Sequence, residues 1–171
     1  MYDMTRGMTN GYFDEGTSSE ELKANRLKAR AQIAAERTID YKNGTYAMAE
    51  SVPAKVTSDM PQFVKDYSNF YETKLGYHER SYGSTSGATV TSAATFMNMP
   101  ILSYADEIET PVLMIHGEKA LSRYFSEDAF KKLKGDNKEL YIVPNAVHTY
   151  LYYKMDVIPF DKIETFFEMN L

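Results

Sequence analysis

The chain predicts an α/β fold with parallel strands, and three observations carry that reading. Two short, almost wholly apolar runs, Val112 to Ile115 and Leu140 to Val143, read as strands buried on both faces. The segment between them has helix signals at both ends: Ser126 as a cap, Glu127 and Asp128 in the first turn, Gly135 as the stop. Two strands joined by a helix run parallel, because an antiparallel pair needs only a tight turn. In open sheets of this kind, ligands and reactive side chains gather beyond the carboxyl ends of the strands, where Glu118 and His148 stand.

From the start of the chain, residues 1–16 contain Gly7 and Gly11 and no sustained period, so they read as irregular. Ser18 and Glu21 form a capping-box pattern that opens a helix over residues 19–38. Its apolar stripe is thin, mostly Leu22, Leu27, Ile33 and alanines, which suits a peripheral element. Residues 40–59 are broken by Gly44 and Pro53, with one short helical turn expected near Tyr46 to Glu50. A second helix starts near Pro61, carries the aromatic stripe Phe63, Tyr67, Phe70 and Tyr71, and stops by Gly76. Residues 77–100 read as a loop leading into a packed segment, and Ile101 to Tyr104 as a turn of helix before the first strand. Pro159 opens a last helix whose Phe160, Ile163, Phe166 and Phe167 share a face and would cover the sheet.

At 171 residues, 43% hydrophobic and 25% charged, the chain suits one domain, 1–171, in which 18–104 form a helical cap-like region and 110–171 the β-α-β-α unit. A net charge of −5 argues against nucleic acid as a partner, because phosphate binding rests on clustered Lys and Arg. The absence of cysteine excludes disulfides, thiolate zinc sites and a cysteine nucleophile, and fits the reducing cytoplasm. No leader pattern and no apolar run near eighteen residues is present, so neither export nor a membrane partner is expected. His78, His116 and His148 are far apart without HExxH spacing, and no glycine loop leads into a helix to cradle phosphate; no metal and no cofactor is expected. His78 reads as a solvated loop residue and His116 as hydrogen-bonded packing at a strand end.

The string PVLMIHGEKALSRYFSEDAF followed by KELYIVPNAVHTYLY resembles the last part of an α/β-hydrolase of the dienelactone-hydrolase-like and X-Pro-peptidase-like group. The segments MYDMTRGM, LGYHERSYGSTSGA and TFMNMPILSY look like pieces of the same group in the same order. The resemblance covers nearly the whole chain but only the second half of that fold. It implies a partial α/β-hydrolase fold with His148 in the place of the triad histidine, the general base. The group's acid stands three residues after the glycine that ends the strand, a place held here by Ala120. Glu118 is the nearest carboxylate and the candidate orienting acid; Asp128 is better read as a first-turn residue. The group's motif often has His where this chain has Leu121 and Asp where it has Tyr150, so the rim of the site is altered.

A serine hydrolase also needs a nucleophile, and the elbow motif G-x-S-x-G supplies it on a strained strand-to-helix turn. The one similar run, Gly83-Ser84-Thr85-Ser86-Gly87, has threonine at its centre and no apolar strand before it. In the group the elbow precedes the part corresponding to Met1. The expectation is therefore a truncated or split hydrolase whose complete form cleaves small-molecule ester or amide substrates by acyl transfer. The isolated chain would be weak or inactive and completed by a separate N-terminal fragment. The alternative is a non-catalytic interaction protein, a self-associated homo-oligomer, that pairs through the exposed edge of the strand 112–115. A binder of small apolar ligands beneath the aromatic helix 61–75 is a third reading.

Overall fold

The two apolar runs form a two-stranded parallel sheet, β1 (Val112–Gly117) beside β2 (Lys138–Val143), with Val112 opposite Lys138 and Gly117 opposite Val143. The computed structural model describes residues 3–10, 16–49, 52–81 and 87–171, apart from the side chain of Asn10. It divides into two units, Asp3–Pro100 and Ile101–Leu171. The architecture is mixed helix and strand, of the α/β kind.

In the first unit, α1 (Met4–Asn10), α2 (Ser19–Asn43) and the segment Val90–Met97 pack against one another. The last of these is a turn of 3-10 helix running into α4 (Ala93–Met97). Ser18 caps α2 as expected, its hydroxyl accepting from Glu21 N at 3.2 Å. The helix runs five residues past the expected end at 38. Gly44, in the left-handed conformation at φ 65°, closes it and donates its N–H to Asp40 O. The thin stripe is real: Ile33 is buried while Leu27 is largely exposed.

The helical turn expected at Tyr46–Glu50 is not formed over residues 46–49, and Glu50 lies outside the described residues. Asp40 Oδ1 accepts from Thr45 Oγ1 and Ala47 N, which pulls residues 45–47 off the helix axis. Met48 then bridges antiparallel to Thr89. The aromatic helix α3 (Gln62–Tyr71) begins after Pro61 and is shorter than expected, ending at Glu72 rather than Gly76. Its rings stack on themselves, Phe70 meeting Tyr71 edge-on at 5.0 Å between centroids. Its one buried residue is Ser68, whose hydroxyl donates to Pro53 O.

In the second unit, a 3-10 turn at Ala105–Glu107 precedes β1, one turn later than the expected Ile101–Tyr104. The crossover helix α5 (Arg123–Lys132) packs on both strands through Phe125 and Ala129, each 1% exposed. Its ends differ from expectation. It starts three residues before Ser126, which lies inside it, and it stops at Leu133, while Gly135 (φ 92°) makes the turn into β2. Asp128 is a mid-helix residue paired with Lys131 at 3.0 Å. A short helix not expected from the sequence, α6 (Tyr150–Tyr153), follows β2 and packs on β1. The last helix is α7 (Phe160–Asn170). Ile163 and Phe166 are half-buried while Phe160 and Phe167 are exposed, so half of the expected apolar face is covered. Lys162 pairs with Glu139 and ties α7 to β2.

Candidate functional site

Alternation along β1 puts Met114 and His116 on one face, the face that α5 covers. Ser122, at the cap position of α5, and Ser126, one turn further on, are four residues apart, so their hydroxyls share a helix face. The His116 ring fits against both. Its Nδ1 lies 2.8 Å from Ser126 Oγ and its Nε2 3.2 Å from Ser122 Oγ. All three residues are buried, at 6% exposure for His116, 3% for Ser122 and 1% for Ser126.

Ser122 Oγ faces a second imidazole, His148, at 3.4 Å from Nδ1. The other ring nitrogen of His148, Nε2, is hydrogen-bonded to the hydroxyl of Tyr152, one turn along. The His116 and His148 rings lie 5.7 Å apart between centroids at 63°, and Tyr152 meets His148 edge-on at 5.3 Å. Five side chains thus form a continuous hydrogen-bonded row, from Ser126 inside the helix to Tyr152 at the surface.

Two turns hold His148 in place. The turn after β2 is laced to the turn after β1: Glu118 N donates to Val143 O at 3.0 Å and Lys119 N to Ala146 O at 2.9 Å. Asn145 takes a left-handed φ of 58°, and its N–H donates to Glu118 Oε2 at 2.7 Å. The two turns approach so closely that a Cβ at Gly117 would run into the Ala146 carbonyl. Only glycine fits there.

The expected pairing of Glu118 with His148 is replaced by this arrangement. The Glu118 carboxylate caps the Asn145 amide, and the two nitrogens of His148 face hydroxyls. Ala120, the residue the resemblance puts at the acid position, is buried at the close of the turn, where its N–H donates to Gly117 O. Tyr150 lies under Lys154, with Nζ 3.3 Å from the ring centroid. His78 is exposed, and its Nδ1 accepts from Arg80 N. His116 is hydrogen-bonded packing as expected, but it is also one contact from His148. Residues 82–86, and with them Ser84, Thr85 and Ser86 of the elbow-like run, lie outside the described residues.

Burial holds the His116 imidazole at about 4, below its ordinary 6.5, and the nearby His148 and Arg123 push it the same way. Burial lowers His148 as well. Both rings are therefore neutral at pH 7, and a neutral ring has one bare nitrogen that can accept a proton. Among the described residues no group of three or more His, Asp or Glu side chains is disposed to hold a metal ion.

Ser122 and Tyr152 were not singled out by the sequence reading, and Ser126 was read only as a helix cap. The signal was the spacing: Ser122 and Ser126 stand at i and i+4, and so do His148 and Tyr152. A separate cleft of about 730 Å³ lies in the first unit, lined by Arg30, Ile33, Arg37, Asp40, Tyr41 and Met97 among others. It is walled by α2 and the 91–98 segment rather than by the aromatic helix α3.

No family model matches the chain. It is similar to an uncharacterized protein of Pseudomonas aeruginosa, PA2218, with 43% identity over 172 residues, a match that covers 100% of this chain and 44% of that protein. The crystal structure of hypothetical protein PA2218 superposes with a TM-score of 0.86, covering 100% of this chain and 51% of that one. The chain thus spans about half the length of the relative it matches.

Proposed function

We propose that this chain is the C-terminal half of an α/β-hydrolase-type protein of the dienelactone-hydrolase-like group, with His148 as general base. The observation that carries the reading is a neutral imidazole just beyond the end of a parallel strand, held from behind by buried hydroxyls. In the complete form, His148 Nε2 takes the proton of a nucleophilic hydroxyl as it attacks an ester or amide carbonyl. It then returns that proton to the departing alkoxide or amine. A base without a nucleophile has nothing to activate, so the chain alone is weak or inactive. The half-length match to PA2218 supports a longer functional form. A cysteine-free composition supports a cytoplasmic setting.

The test is hydrolysis of p-nitrophenyl acetate with fluorophosphonate labelling, on this chain and on PA2218. We expect labelling and turnover by PA2218 and neither in this chain. A PA2218 that is neither labelled nor active sinks the hydrolase reading. Labelling of this chain would mean that a serine within it is the nucleophile.

A second reading is a non-catalytic, self-associating protein. It is favoured by the sheet, in which, among the described residues, β1 and β2 each pair along one edge and leave backbone N–H and C=O groups of the outer edges for another strand. Sedimentation over a hundredfold range of concentration separates the two: a dimer that persists on dilution supports it, and a monomer throughout removes it.

A further inference from the structure

The residue that orients a catalytic imidazole is ordinarily a carboxylate, which accepts from Nδ1–H and so leaves Nε2 bare. Here the position beside Nδ1 of His148 is taken by the Ser122 hydroxyl, and behind it stand His116 and Ser126. A hydroxyl carries one hydrogen and can point it at only one of the two rings it touches. The two histidines therefore cannot choose their tautomers independently.

Only two proton orders satisfy all four hydrogen bonds with both rings neutral and the buried Ser122 hydrogen given to one of the rings; a third, in which Ser122 accepts from both, leaves that hydrogen without an acceptor among the described residues. In the first, Tyr152 donates to His148 Nε2, His148 Nδ1–H donates to Ser122, Ser122 donates to His116 Nε2, and His116 Nδ1–H donates to Ser126. In the second every bond is reversed, and His148 carries its hydrogen on Nε2. Each of the five groups keeps one hydrogen in both orders, so they interconvert without gain or loss of a proton. Of these two, only the first leaves His148 Nε2 as an acceptor, ready to take a proton from whatever hydroxyl replaces that of Tyr152.

We propose that Ser122, backed by His116 and Ser126, is the positioning group for His148, a neutral relay that holds it in the Nδ1–H tautomer in place of a carboxylate. Ser126 selects the order. In the first order its oxygen accepts from His116 Nδ1–H, so the row runs inward from Tyr152 to the helix. From there each bond dictates the next. Glu118 serves the relay at one remove, by anchoring the Asn145 turn that carries His148. The relay explains why the chain has no carboxylate at the group's acid position and yet keeps two buried serines in a row with two histidines. Its catalytic meaning rests on His148 being a base; the tautomer itself does not.

The test reads tautomers directly, by nitrogen-15 and proton correlation of the imidazole side chains in this 171-residue chain without substrate. In the wild type we expect hydrogen on Nδ1 and a bare Nε2 in both His116 and His148. Hydrogen on Nε2 of His148 overturns the proposal. In Ser122→Ala the preference of His148 should fall to a mixture while Ser122→Thr, which keeps the hydroxyl, restores it. Ser126→Ala, which removes the hydroxyl bonded to His116 Nδ1, should shift His148 as well. A His148 tautomer unchanged in both alanine variants overturns the relay. Should Ser122→Ala not fold, the wild type and Ser126→Ala decide alone. Since no substrate is present, an inactive protein with the expected tautomers refutes the hydrolase reading and leaves the relay standing.

Discussion

His116 is the residue where burial and ionisation meet. Its folded-state value of about 4 lies below the 6.5 of an unfolded histidine, so between those two pH values the unfolded chain binds the extra proton. Stability is therefore fully present above about pH 6.5 and falls as pH drops toward 4, by about 3 kcal/mol in total at 1.36 kcal/mol per unit. Below 4 both states are protonated and this contribution stays lost. Urea unfolding across that range should show the slope, and His116→Gln, which keeps hydrogen-bonding groups but cannot ionise, should flatten it. Ser126→Ala acts differently: it leaves His116 Nδ1 buried without its hydroxyl, and should cost roughly 1–3 kcal/mol at neutral pH by the same measurement. An unchanged urea midpoint would mean that the ring finds another partner.

Among the elements, α2 and β1 each hinge on one glycine, for different reasons. At Gly44 nothing crowds a side chain, and the demand is the left-handed φ alone. Gly44→Ala should therefore lower thermal stability by about 1 kcal/mol without altering the site. At Gly117 the demand is space. Gly117→Ala should push the 146–148 turn away, costing roughly 1–3 kcal/mol and shifting the His148 ring signals, which Gly44→Ala leaves unmoved. The same contrast marks what could be read in advance. The strands and their parallel pairing followed from Val112 to Ile115 and Leu140 to Val143, because apolar runs of that length have few other uses. The start of α5 did not, because Ser126 before Glu127 and Asp128 imitates a cap, while the true start at Arg123 has no side-chain cap bond. The place of His148 beyond the second strand was legible, whereas the side chains it meets there were not. Spacing shows that Ser122 and Ser126 share a face, but only the packed strand shows that His116 fills the gap between them.

For the molecule as a whole, the division at Pro100 and Ile101 predicts where it is open to proteases. Tyr104 is 72% exposed just beyond the boundary. Brief chymotrypsin treatment should cut near it and release fragments close to residues 1–104 and 105–171 before cutting within α2 or β1. First cuts inside those elements would argue against two units. Net charge acts at the same scale, since the surplus of five negative charges repels itself across the surface and is softened by dissolved ions. The row from Ser126 to Tyr152 carries no formal charge for those ions to act on. Ionic strength should therefore change how this protein associates and how its surface carboxylates titrate, while the alignment of the two imidazoles stays the same from dilute buffer to brine.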